Sequence, residues 1–267
     1  MSWITARRRH RAAGYAVVLL GLAVVGLAYA ALTGQPGPAS AASPPANQQQ
    51  IAMGRHLFSV TCASCHGMNA QGIPGQGPPL VGVGAAAVDF QVSTGRMPGK
   101  LTGAEMPRKP PVFSESQTHA IAAYIASLGG GPAIPSSSQV STNGADLALG
   151  QQIFITNCAQ CHNFAGAGGA LTDGKYAPPL TQATPTQIYE AMLTGPEAMP
   201  VFSDTTITPA QKRDVIGYVT HVRAEPNPGG FSLGRIGPVT EGLVAFLGGI
   251  AALVFAALWI AIKRRES

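Results

Sequence analysis

Charge is scarce in this sequence. Asp, Glu, Lys and Arg make up 11 % of its 267 residues, and the mean hydropathy is +0.18. Part of the apolar content is therefore expected to face lipid instead of filling a core. Positive charge is nearly missing from the middle of the chain. Arg7, Arg8, Arg9 and Arg11 cluster near the start and Lys263, Arg264 and Arg265 at the end; without these seven and Glu266, ten basic residues face eleven acidic ones, a net charge of −1. The pI of 9.2 thus does not mark a polyanion binder, and no nucleic-acid partner is expected. Cysteine is limited to four residues, all inside two copies of one short motif, which leaves none for a disulfide framework. Strand patterning is also nearly absent. Short helical patterns alternate with Gly/Pro-rich loops, so such domains lack apolar material for an ordinary core and need something large to pack around.

Each basic end abuts a long apolar run. Ala12 to Leu32 and Gly242 to Ile262 are 21 residues each without a charge, enough at about 1.5 Å per residue to span a hydrocarbon layer. Both read as membrane helices. With both basic ends in the cytoplasm, the positive-inside rule places residues from about 34 to 240 on the outer face of a cell membrane crossed twice. Ala28-Tyr29-Ala30 has the small-x-small form of a signal-peptidase site, so the first run reads either as a retained anchor or as a cleaved signal sequence. Trp259, near the cytoplasmic end of the second run, suits an interfacial aromatic.

Between the runs the chain repeats itself. Gly54, Phe58, Cys62, Cys65 and His66 match Gly150, Phe154, Cys158, Cys161 and His162 at a constant offset of 96. Pro78-Pro79-Leu80 matches Pro178-Pro179-Leu180, and Thr94-Gly95 matches Thr194-Gly195, at offset 100. Gln117 and Tyr124 match Gln211 and Tyr218 at offset 94, and a Pro-Val-Phe occurs at 111–113 and 200–202. Helices are expected over 51–62, 147–158, 115–128 and 208–222, the last with Thr208 as N-cap and Pro209 at the first helical position. The expected order is an N-terminal anchor or signal sequence over 1–33, a Pro/Ala/Ser-rich tether over 34–50, a first domain over 51–130, a linker over 131–144, a second domain over 145–226, a linker over 227–241, a transmembrane helix over 242–262 and a cytoplasmic tail over 263–267.

Cys-x-x-Cys-His is the attachment signature of c-type haem: two sulfurs bond the porphyrin vinyls and the adjacent His coordinates iron. Two copies predict two covalently bound haem c groups, held by Cys62, Cys65 and His66 and by Cys158, Cys161 and His162. The competing reading, one Zn²⁺ shared by both motifs, is weaker because each copy carries its own His and its own downstream Met-Pro. A Met thioether on the iron's sixth position raises the potential and suits electron transfer. In the second copy Met199 is the candidate, with Met192 as alternative; in the first, Met97 is preferred to Met106 because it keeps register with Thr94-Gly95. With Met97 as ligand, residues 99–110 become an inserted basic loop carrying Lys100, Arg108 and Lys109. His56, His119 and His221 do not repeat between copies and read as exposed or packed histidines.

Over both copies the chain resembles the class I cytochromes c, which implies an all-α fold of two tandem cytochrome c domains with membrane helices at the N- and C-termini. The resemblance implies that Gly54 and Phe58 meet the helix of Tyr124, that Gly150 and Phe154 meet that of Tyr218, and that carbonyls of the Pro-Pro-Leu segments accept the proximal imidazole N–H.

The copy-specific phrases Val92-Ser-Thr-Gly-Arg-Met-Pro98 and Pro107-Arg-Lys-Pro-Pro-Val-Phe113, with the anchor, tether, two modules and terminal helix, are similar to the dihaem cytochrome c subunit of actinobacterial quinol-cytochrome c reductases. That resemblance implies partnership with a cytochrome b subunit that oxidises menaquinol, electrons arriving from a Rieske iron-sulfur subunit, and delivery to cytochrome c oxidase. Such a chain is an electron-transfer part of an oxidoreductase (a translocase) with no catalytic site of its own and no quinol site. A stand-alone membrane-anchored carrier, a dihaem peroxidase and the dihaem subunit of a membrane dehydrogenase are the alternatives. Residues 51–130 carry five basic and three acidic residues, and 144–228 four and seven, a difference able to steer unlike partners.

Overall fold

The computed structural model describes residues 11–32, 47–100, 103, 105–225 and 238–266. It falls into two units, Met1–Ala41 and Ala42–Ser267. The first contains helix α1 (Arg11–Leu32), whose apolar portion Tyr15–Ala28 leaves Val18, Leu20 and Leu22 exposed. Residues 33–46 of the expected tether, the 226–237 connection and the arginines at 7 to 9 lie outside the described residues.

The second unit repeats one helical plan. α2 (Gln48–Thr61), α3 (Ala63–His66), α4 (Gly84–Ser93) and α5 (Glu115–Gly129) come first. After a short α6 (Ser137–Val140), the plan recurs as α7 (Leu147–Asn157), α8 (Ala159–His162), α9 (Pro185–Thr194) and α10 (Pro209–Ala224), and α11 (Pro238–Glu266) ends the chain. All four helices expected from sequence are present within three residues at their ends. Thr208 does cap α10, its hydroxyl accepting from the Gln211 N–H while the Gln211 side chain returns to the Thr208 N–H, with Pro209 at the first position. Ser114 and Gln117 cap α5 the same way. A cap of this kind contributes about 1 kcal/mol. α4 was not anticipated: Gly84, Ala86, Val88, Asp89, Phe90 and Val92 are all buried, so the segment lacks the one-sided period that marks a surface helix.

In each half the first and last helices cross at a glycine. A Cβ on Gly54 would overlap the Ala120 carbonyl oxygen of α5, and one on Gly150 the Asp214 carbonyl oxygen of α10. Four residues on, Phe58 meets Tyr124 with ring centroids 5.4 Å apart, and Phe154 meets Tyr218 at the same 5.4 Å. Both phenylalanines are 1 % exposed and anchor separate apolar clusters. The Pro-Val-Phe markers serve alike, Phe113 packing on the first cluster and Phe202 on the second.

The copies differ where their offsets change. Between motif and Pro-Pro-Leu the first half has one isolated bridge, Ile73 to Gly77, whereas the second forms an antiparallel pair, β1 (Gly169–Ala170) and β2 (Tyr176–Ala177). The four extra residues implied by the change from offset 96 to 100 are taken up in this hairpin.

The stretch 129–144, which reads from composition as a tether, lies packed on both halves. Pro132 O accepts from the Ala86 N–H at 3.0 Å, Ile134 packs on the first cluster and Val140 on the second. Within it, a Ser136/Gln139 box caps the start of α6. Backbone carbonyls and side chains of a Pro/Ser-rich segment find partners here because the halves also touch directly, through α4 and α9.

Glu241–Arg264 of α11 is 24 residues long with mean hydropathy 2.5, and none of it is buried by the rest of the chain. A helix apolar on every side and covered by nothing suits a lipid surround.

Candidate functional site

The motif works through helix geometry. In each copy the long helix ends at the first cysteine, whose N–H bonds back to the phenylalanine carbonyl at 2.8 Å (Cys62 to Phe58, Cys158 to Phe154). A single further turn, α3 or α8, follows. Residues at i, i+3 and i+4 share a helix face, so Cys62, Cys65 and His66 present two sulfurs and an imidazole on one side, as do Cys158, Cys161 and His162. The chain then leaves with positive φ at Gly67 (φ 77) and Asn163 (φ 66), a conformation asparagine tolerates better than other side chains.

Each imidazole is oriented by the same bond. His66 Nδ1 lies 2.8 Å from the Pro78 carbonyl oxygen and His162 Nδ1 3.1 Å from that of Pro178. A carbonyl can only accept, so Nδ1 carries the proton and Nε2 is left with its lone pair for a metal. The proline carbonyls are held in place by tight loops: Gly72 N–H donates to His66 O at 2.7 Å and Gly168 N–H to His162 O at 3.0 Å. Side chains at Gly72 or Gly168 would collide with the following Pro-Pro backbone. Burial lowers the His162 pKa, the Pro178 bond opposing it, which favours the neutral ring that binds metals.

A cavity of about 270 Å³ opens beside His162. Cys158, Cys161 and His162 line it on the motif side; Phe154, Ile188, Met192, Val215 and Val219 supply apolar wall, and Met199 stands in the loop that closes it. Met192 is 2 % exposed within α9, while Met199 is half-buried in a loop. In the first half Met97 packs on the cluster of Phe58 and Tyr124, whereas the Met106 N–H donates to Glu197 Oε1 of the second half at 2.8 Å. The three other histidines stand elsewhere: His56 is exposed on α2, His119 Nε2 is 3.5 Å from Asp89 Oδ1, and His221 pairs with Glu225.

These residues fit a covalently tethered haem. Paired sulfurs beside a proton-fixed imidazole, an apolar cleft and a thioether in the closing loop match its chemistry. Burial first, and the neighbouring cysteine second, push the Cys62 and Cys158 thiols up to about 11. Among the described residues no group of three or more His, Cys, Asp or Glu side chains converges, as one zinc ion shared by both motifs would require.

Sequence reasoning missed one part of the second cavity: Phe90, Arg96, Glu105 and Arg108 of the first half line it too. The only signal was the basic character of the 99–110 insertion. Two of its three cations make specific contacts. Lys109 Nζ donates to the Arg96 and Pro98 carbonyls at 2.9 and 3.0 Å, and Arg108 donates to the Gln182 carbonyl at 3.0 Å. Arg96 Nε lies 3.7 Å from Glu197 Oε1, so part of the charge difference between halves is used where they meet.

The same contact buries two carboxyls. Asp89 of α4 (5 % exposed) and Glu190 of α9 (0 %) face each other, and neither Glu190 oxygen has an N–H or hydroxyl donor. Two carboxyls satisfy each other only by sharing a proton. Burial raises both, with the His119 and Glu115 charges acting on Asp89; Glu190 is pushed up to about 10 from 4.5. The folded state therefore keeps a proton that the unfolded chain releases above 4.5, so stability falls as pH rises from there toward 10. Glu190→Gln is expected to flatten this slope, on the order of 1–3 kcal/mol between about pH 5 and 8. Thermal melts across that range check it; a slope unaltered by the substitution places the pH dependence elsewhere.

The sites have counterparts in known proteins. A family model described as "Cytochrome C oxidase, cbb3-type, subunit III" matches residues 49–125 and again 145–219. The chain is 47 % identical over 252 residues to the cytochrome bc1 complex cytochrome c subunit of Mycobacterium leprae, covering 92 % of this chain and 86 % of that one. It is 45 % identical over 262 residues to the same-named protein of Mycobacterium tuberculosis, 96 % and 93 % of the two chains. With that of Corynebacterium diphtheriae it shares 45 % over 273 residues, 96 % of each. These relatives match over most of both chains, and the chain belongs to the family of cytochrome c subunits of the cytochrome bc1 complex.

Proposed function

We propose that this chain carries two covalently bound haem c groups and relays electrons within a quinol-cytochrome c reductase, receiving them from a Rieske iron-sulfur subunit and passing them to cytochrome c oxidase. The observation that carries the reading is the doubled turn in which two cysteines and a histidine share a face and the histidine Nδ1 is held by a proline carbonyl. Haem c, when bound, supplies a one-electron iron couple.

The chain's own residues do the rest. With haem c bound, His66 and His162 would hold it through Nε2, and Met97 and Met199 would supply thioether ligands. The apolar clusters around Phe58 and Phe154 exclude water. Iron held by an imidazole and a thioether in apolar surroundings would favour electron transfer over oxygen or peroxide activation. In the same reading α1 is a second membrane helix, both termini are cytoplasmic, and the haem domains stand on the outer face. A cytochrome b subunit is the membrane partner and the quinol site lies outside this chain.

Purification in mild detergent tests the proposal. A pyridine haemochrome assay should give two haems per chain, and cytochrome b, a Rieske protein and oxidase subunits should copurify. One haem per chain contradicts the dihaem reading; a small particle without partners supports a stand-alone carrier instead.

A further inference from the structure

We infer that the first half completes the second haem pocket, with Arg96 and Arg108 as the cationic partners of that haem's propionates. The inference rests on the two-haem reading above and adds a role that no repeat of the first pocket predicts.

Arg96 and Arg108 are the lysine or arginine side chains that line the cavity beside His162, and both come from the first half. They reach it in different ways. Arg96 is 6 % exposed, sits with its guanidinium 5.0 Å from the centroid of the Phe90 ring, and has a buried Nε without a hydrogen-bond partner, its nearest carboxylate oxygen being Glu197 Oε1 at 3.7 Å. A buried guanidinium N–H left unbonded costs free energy and is suited to an anion. Arg108 crosses between halves, its Nη2 donating to the Gln182 carbonyl at 3.0 Å and lying 3.5 Å from Gln187 Oε1.

Haem chemistry supplies the anions. The two propionates sit on the side of the macrocycle opposite the vinyl groups, and Cys158 and Cys161 hold the vinyl edge. A haem held there at its vinyl edge would carry its carboxylates away from those sulfurs, and among the described lining residues Arg96 and Arg108 are the cations that could pair with them. Bringing two carboxylates into an apolar cleft is costly unless they are paired. The lining glutamates are engaged with backbone donors: Glu105 Oε2 accepts from the Tyr176 N–H at 3.2 Å and Glu197 Oε1 from the Met106 N–H. These same bonds tie Glu105 and Met106 to the second half.

The test is placed on Arg108, because Arg96 adjoins Met97. The full-length chain, with its haems attached, is titrated optically as wild type, R108Q, R108K and M199A. M199A marks the second haem's step by lowering it. Removing a positive charge near the iron favours the ferric form, so R108Q should lower that same step, shifting its redox equilibrium by roughly tenfold, which is about 59 mV for one electron. The other step should stay in place, and R108K should restore most of the loss. No shift, a shift in the other step, or equal shifts in R108Q and R108K overturns the inference. Two haems per wild-type chain together with any of those results leaves the dihaem reading standing, whereas one haem removes both.

Discussion

Gly150→Val is expected to cost the second half its haem. A branched side chain there would drive into the Asp214 carbonyl and toward Tyr218 Cβ at 3.1 Å, and helix backbone cannot yield as a flexible side chain can. α7 and α10 would have to part, which also separates Phe154 from Tyr218 and opens the cluster under the motif turn. Overpacking typically costs about 1–3 kcal/mol, and forcing backbone apart belongs to the exceptional losses above roughly 4 kcal/mol. For a domain of this size that lowers the melting temperature by more than about 10 °C. Gly54→Val should do the same to the first half through the Ala120 carbonyl. Haem per chain and melting temperature are the measurements; a variant that melts with wild type and keeps both haems means the helices do not cross at these glycines.

Met97→Ala is expected to lower one haem's midpoint potential by roughly 0.2 V, a fraction of the ~0.8 V range that axial ligands span, while both haems stay attached. On the proposed two-haem reading attachment survives, because thioether bonds from Cys62 and Cys65 would not depend on the sixth ligand. Met106→Ala is expected to leave that potential nearly unchanged. The reason is position: Met97 packs on the Phe58 and Tyr124 cluster, while the Met106 backbone is bonded to Glu197 in the other half. A redox titration in which Met106→Ala produces the large drop, and Met97→Ala does not, reverses the ligand assignment.

Much of the fold was legible because its signals are local. The recurrence of Gly, aromatic, Cys-x-x-Cys-His and Pro-Pro-Leu marked both motif turns, and the resemblance to class I cytochromes c that it carries implied both crossings and the proline carbonyls that receive the imidazoles. The cap at Thr208 was readable from the Thr-Pro that opens α10, whereas the Ser114 cap of α5 was not singled out from sequence. α4 was not, because a helix buried on nearly every side shows no period. Nor was the state of the 129–144 segment: composition reports flexibility of free chain, not whether neighbouring surfaces offer it partners.

The amino-acid order alone determined the chemistry on offer: which sulfurs can tether a haem, which histidine stands beside them, and that the C-terminal run suits lipid. These follow from helix pitch, covalent reach and charge placement within a few residues. Only the tertiary structure decided that α4 faces α9, and with it that Asp89 meets Glu190 and that Arg96 and Arg108 enter the other half's cavity. Those contacts join residues about 75 to 100 positions apart, and the choice of which faces meet depends on shape and desolvation summed over both surfaces, a quantity no short spacing encodes.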